Sequence, residues 1–273
     1  MPGRELPAVI EALQFGFMQR ALAAGVFVAA ACALLGVFLV LRRCAMMGEG
    51  LAHFAFGSVG LALLLSLPPL AVAVPLAVLA SLLILKLPER GGMFGDAAIG
   101  MVSAVGVAAG VLFAGLGGGF NIDLFSYLFG DILAVSRSEV AVAVGLSAAV
   151  GAVLLHFRRQ LFAMAFDAEH ARTAGVPVRT LDRALAALTA LTVVLGIRVV
   201  GTLLVSSLLI FPAATALQVA RSFRGALAVA AAVGVGSIVA GIAAAYAFDV
   251  PAGSAIVLVN ATAFAIARLA RRG

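Results

Sequence analysis

Two residue types that bind metal ions stand four apart in the segment Met46-Met47-Gly48-Glu49-Gly50-Leu51-Ala52-His53. On a helix, that spacing stacks the two side chains on one face, about 5–6 Å apart at Cβ. A carboxylate and an imidazole so placed form a ligand pair that a divalent transition metal accepts, or a step in a proton path. A plainer arrangement also exists, in which His53 donates to a carbonyl of a neighbouring helix and Glu49 reaches water. Two ligands do not close a zinc site. A transport site, however, must bind loosely enough for its ion to leave.

The elements that would position this pair are membrane helices. Hydrophobic residues make up 64% of the 273 residues and charged residues 11%, against about 25% charged in soluble domains. Mean hydropathy is +1.21. The apolar runs have helical length rather than barrel-like alternation, so the fold class is an all-α, polytopic bundle. Nine runs can be drawn, at 15–41, 44–66, 69–87, 97–116, 140–157, 181–197, 200–219, 226–248 and 252–270. Asp182 and Arg183 open the sixth and shorten its apolar part to about 14 residues. Eight full spans with one broken or re-entrant element would therefore also fit. Residues 1–14 carry Arg4, Glu5 and Glu11 and read as an amphipathic lead-in rather than a signal peptide.

The net charge of +6 would raise nucleic acid as a partner for a soluble protein; here the positive-inside rule accounts for it. Placing the C-terminus in the cytoplasm and alternating through nine spans leaves only Arg4, Arg20, Arg137 and Arg198 outside, so fourteen of the 18 basic residues face the cytoplasm. Arg42 and Arg43 then mark the cytoplasmic interface. A helix continuing from Arg43 puts Glu49 about 9 Å and His53 about 15 Å into the membrane. Cys32 and Cys44 lie about 18 Å apart along such a helix, too far to pair. Pro68, Pro69, Pro75, Pro212 and Pro251 are expected at kinks or span ends.

Two loops are long. The external one, 117–139, contains Phe125-Ser126-Tyr127-Leu128-Phe129 and is expected to be partly buried or re-entrant. Its Asp131 reads as a turn cap, and with Asp123 it lends the outer mouth a modest negative potential that Arg137 offsets. In the cytoplasmic loop, 158–180, Asp167 is a good N-cap and Gly175, before Val176-Pro177, a good stop. They frame a two-turn helix at 168–174, too short to persist unless docked. His156 reads as interfacial, and His170 as facing a partner or water. Arg198 lies between Gly196 and Gly201 at an external turn, where glycine-interrupted spans build transport pathways or where it simply snorkels. No Gly-x-x-x-x-Gly-Lys-Ser/Thr loop occurs in a chain whose one lysine is Lys86. Nor is there a His-Glu-x-x-His or Gly-x-Ser-x-Gly motif, so ATPase, protease and lipase readings lack their residues.

Five segments in order carry a resemblance. They are Leu41-Arg42-Arg43 through His53; Asp96-Ala97-Ala98-Ile99-Gly100; Phe125 through Val135; Phe166-Asp167 through Ala174-Gly175-Val176; and Val200-Gly201-Thr202 through Phe211-Pro212-Ala213-Ala214. Together they resemble the membrane permease subunit of ATP-binding-cassette importers for zinc and manganese. The resemblance implies a type II-like permease forming a single transmembrane domain over 1–273 in the cell (inner) membrane, with a cytoplasmic coupling helix near 167–175. It implies a homodimer surrounded by lipid, ATP-binding subunits on the cytoplasmic side and an extracytoplasmic metal-binding protein. Glu49 and His53 would be pathway ligands for the metal, and Asp167, Glu169, His170, Arg172 and Gly175 the contacts to the ATPase. The chain would be a transport subunit and not an enzyme, with no permanent cofactor and zinc (or manganese) as substrate. The family commonly has Asp where this chain has Glu49, whose longer side chain carries the carboxylate one methylene further.

Within that family zinc comes first, with manganese or iron second. A permease for an organic metal chelate or cobalamin would not need the Glu49–His53 pair. A secondary transporter using Glu49 as a proton site would need no ATPase.

Overall fold

Apolar runs of about 20 residues have one stable form in lipid, the helix, because it satisfies every backbone group internally. The computed structural model describes residues 15–91, 94–117 and 135–271, which fold as helices and short turns with no strand among them. Nine of these helices are long and apolar enough to cross a membrane. In chain order they are α1 (Gly16–Leu41), α2 (Met47–Leu64), α3 (Pro69–Gly91), α4 (Gly95–Leu116), α5 (Arg137–His156), α8 (Val178–Val200), α9 (Thr202–Val219), α10 (Phe223–Phe248) and α11 (Ala252–Ala270). Two short helices, α6 (Arg158–Phe166) and α7 (Ala168–Thr173), lie between α5 and α8.

The sixth span is complete. It starts at Val178, ahead of the apolar run, and keeps Asp182 and Arg183 inside a helix of 23 residues. Asp182 is tolerated there because Arg42, at the end of α1, meets its carboxylate at 2.6 and 2.8 Å. The sixth span is therefore neither broken nor re-entrant. A single residue, Gly201, separates α8 from α9, and its φ of 85° is a conformation that a glycine adopts without strain.

The bundle is held by small residues. With no hydrophobic drive between helices in lipid, association depends on backbones approaching closely. A Cβ on Gly57 would run into the Gly106 carbonyl, and one on Gly106 into the Cα of Phe54. Gly50 meets Ile99 and Gly60 meets Gly110, so α2 and α4 lie side by side running in the same direction. Helix α1 is the central post, packed by α5, α8, α9 and α10. Its Gly36 admits the Leu209 carbonyl of α9. In the apolar interior, Ser237 of α10 donates to the buried Asn260 side chain of α11 at 2.9 Å. Leu79 on α3, Val105 and Leu112 on α4, and Leu258 and Ile266 on α11 point outward, as lipid-facing side chains should.

The chain reverses sharply between α1 and α2. Arg43 takes a left-handed φ of 58°, while the Cys44 N–H bonds the Leu39 carbonyl at 2.8 Å and the Arg43 N–H that of Val40 at 3.1 Å. This is a Schellman stop with arginine where glycine is usual. Helix α2 thus begins at Met47, three residues later than its apolar run.

The glycine contacts give a direct test. Gly57→Val should cost about 1–3 kcal/mol through overpacking, seen as a lower unfolding temperature of the purified protein in detergent. Gly100→Ala, whose methyl meets nothing within 4 Å, should leave that temperature unchanged or slightly raised.

Candidate metal site and coupling helix

Helix α2 brings Glu49 and His53 together as their spacing requires, with His53 Nε2 and Glu49 Oε1 3.2 Å apart. Both are only part-buried: 44% of the imidazole and 35% of the carboxylate side chain are open on the flank of the bundle. Glu49 lies in the first turn of α2, where the unpaired N–H groups of the helix end favour a negative charge nearby. That turn does not sit at the bundle's end. Neighbouring Gly48 packs against the Leu209 side chain, which is about 10 Å from one end of α9 and about 15 Å from the other. Helix α2 therefore starts within the bundle, with Glu49 near mid-height of α9 and His53 one turn further along α2.

A carboxylate beside an imidazole within the bundle is costly against hydrocarbon and calls for a watery path or a covering chain. Two donors are present, and among the described residues no group of three or more His, Cys, Asp and Glu gathers that could hold a metal ion. The Cys44 Sγ lies 3.5 Å from the Arg42 carbonyl.

The second feature is α7. The Asp167 carboxylate accepts from the N–H groups of Glu169 and His170 at 3.0 and 2.9 Å. At the other end Gly175, with φ 82°, completes a stop in which the Val176 N–H bonds the Ala171 carbonyl at 2.9 Å. The local cap and stop chemistry in the sequence is realised in full. Ala171 is buried and docks the helix. Asp167, Glu169, His170, Arg172 and Gly175 all face outward, and Arg172 pairs with Glu169 at 2.9 Å.

Three features went unread in the sequence. Helix α6 precedes α7, burying Leu161 and Met164 and setting the Phe162 ring edge-on to Phe223 at 4.9 Å. Its signal was the apolar pair three residues apart beside Arg158, Arg159 and Gln160. Ser136 and Glu139 form a capping box that starts α5 at Arg137, and Ser-x-x-Glu is its signature. Arg198 does more than snorkel: it pairs with Glu139 beside a cavity of about 220 Å³ lined by Leu70, Val142, Leu146 and Leu195. His156 is exposed and lies edge-on to Phe157 at 4.7 Å. The residues 1–14, Asp123, Asp131 and 125–134 lie outside the described residues.

The sequence model of the ABC 3 transport family matches residues 14–271. The chain belongs to the ABC 3 transport family. The manganese transport system membrane protein MntC of Halalkalibacterium halodurans is 33% identical over 93% of this chain and 87% of its own length. The high-affinity zinc uptake system membrane protein ZnuB of Haemophilus influenzae is 30% identical over 94% and 98%. Among solved structures, the PsaBC complex from Streptococcus pneumoniae contains a chain that superposes with a TM-score of 0.86 at 33% identity, covering 96% of this chain and 95% of that one. The ABC 3 chain is accordingly a multi-pass membrane permease of this metal-importer family, a transport subunit rather than an enzyme.

The cap at α7 can be tested by itself. Asp167→Ala removes the acceptor for two N–H groups and should cost about 0.5–2 kcal/mol locally. Hydrogen exchange should speed up in 168–173 while the spanning helices keep their protection.

Proposed function

We propose that this chain is the permease of an ATP-driven importer carrying a divalent transition metal ion, zinc first, into the cytoplasm. The observation that carries the reading is the Glu49–His53 pair, two metal donors 3.2 Å apart on a half-open flank of an otherwise apolar bundle. A tetrahedral zinc ion with bonds of about 2.0–2.1 Å holds neighbouring donors about 3.3 Å apart, so the pair needs little adjustment to share one. A second copy of the chain, placed against this flank, would cover the two side chains and supply another pair around a common path. The partners are an ATP-binding subunit seated on Asp167, Glu169, His170, Arg172 and Gly175, and an external protein that delivers the ion.

Manganese is the second reading. The manganese-named relative is 33% identical and the zinc-named one 30%. Manganese accepts the same imidazole and carboxylate donors as zinc, so the pair suits both ions.

The test is metal accumulation in the native host under zinc starvation, comparing the intact chain with Glu49→Ala and His53→Ala at matched membrane levels. Zinc, manganese and iron are read together. Zinc uptake should fall at least tenfold in both variants while the other metals hold. A fall in manganese alone would establish the second reading. All metals unchanged would remove the pair from the path and favour an organic chelate as cargo.

A further inference from the structure

Helices α6 and α7 connect α5 to α8, and both ends of the α7 hairpin, the last turn of α6 and the start of α8, are tied to one side chain. Arg42, the cap residue at the end of α1, donates from Nη2 to both carboxylate oxygens of Asp182 at 2.6 and 2.8 Å. Its Nη1 donates to the Met164 carbonyl at 3.2 Å. Met164 is in the last turn of α6, three residues before the Asp167 cap. Asp182 is in the second turn of α8, seven residues beyond Gly175. Both groups lie where arginine is best used: Met164 offers one of the carbonyls that a helix end leaves unpaired, and a guanidinium holds a carboxylate through a charge-assisted contact. About three-quarters of the Arg42 side chain and four-fifths of the Asp182 side chain are shielded, with exposures of 24% and 20%.

The position of Arg42 in the chain gives this clamp its consequence. The rigid Schellman turn at Arg43 and Cys44 follows at once, and Met47, 1% exposed, opens α2. Glu49 is in that helix's first turn. A displacement of α7 therefore reaches Arg42 from two sides, through Met164 and through Asp182, and passes by a short stiff turn to the metal donors.

We infer that Arg42, clamped by Asp182 and the Met164 carbonyl, is a positioning residue that links movement of the coupling helix to the Glu49–His53 pair. This rests on the function proposed above and adds to it the route by which ATP hydrolysis acts on the ion. Arg42 touches neither nucleotide nor metal in this role. Its loss should uncouple the two activities rather than abolish either.

The experiment uses the complete importer, permease with ATP-binding subunit and delivery protein, in proteoliposomes, and reads metal ions moved per ATP hydrolysed. Arg42→Gln and Asp182→Asn should each lower that ratio at least fivefold with ATP hydrolysis within twofold of the intact complex. The double variant should fall no further, because both changes break one clamp. Transport and hydrolysis falling together in proportion to assembled complex would mean a purely structural role and overturn the inference. So would an unchanged ratio. A measurement on the intact complex needs no variant: adding a non-hydrolysable ATP analogue should change hydrogen exchange in 168–173 and 42–53 together, and a change in the first segment alone would contradict the link. An intact complex that moves no metal under ATP would overturn the proposed function and this inference with it. Active transport with variants that remain coupled overturns the inference alone.

Discussion

A charge set among packed membrane helices must be met by an opposite charge, a hydrogen-bond partner or water. With 11% charged residues in 273, this chain spends few charges inside, and their pairings organise the rest. Arg42 with Asp182 closes the basic end of the bundle across 140 residues of sequence. Glu139 with Arg198 closes the opposite end, joining α5 to α8. Glu49 with His53 differs from both. It lies within one helix and leaves more than a third of each side chain's surface open. The first two pairs join separate helices, whereas the third holds only itself and leaves its donors available to an ion.

The helices around these pairs are fitted by subtraction of side chains. Gly57 against the Gly106 carbonyl, Gly106 against the Phe54 backbone and Gly36 against the Leu209 carbonyl bring backbones into contact where any Cβ would intrude. This stiffness matters for function. A helix seated on glycines shifts as a unit, so a push at the base of α2 is carried to His53 rather than dissipated in side-chain rearrangement. The same tight seat puts the first turn of α2 inside the bundle, which is how Glu49 can be both at a helix N-terminus and at mid-height.

What the sequence disclosed follows the range of each interaction. Asp167, Gly175 and the pairing of Glu49 with His53 were legible because caps, stops and i, i+4 contacts are local. The spans were legible because hydrophobic length is additive along the chain. The weakness attributed to the sixth span was not real, since the partner that neutralises Asp182 is Arg42, far away in sequence and invisible to a window of hydropathy. The late start of α2 was hidden for a related reason: Cys44, Ala45 and Met46 are apolar enough to continue a helix, and only the left-handed Arg43 ends it. The capping box at Ser136 and Glu139 was readable, and a span drawn from hydrophobicity alone passed over it. The glycine contacts required knowing which helices meet.

On the proposed function, Glu49 and His53 hold the transported ion. X-ray absorption at the zinc edge, on the permease–ATPase complex arrested with a non-hydrolysable nucleotide and loaded with stoichiometric zinc, addresses it directly. Nitrogen and oxygen neighbours are expected at about 2.0–2.2 Å, with outer-shell scattering from an imidazole that disappears in His53→Ala. An imidazole signature that survives His53→Ala, or a fully hydrated ion in the intact complex, would contradict it.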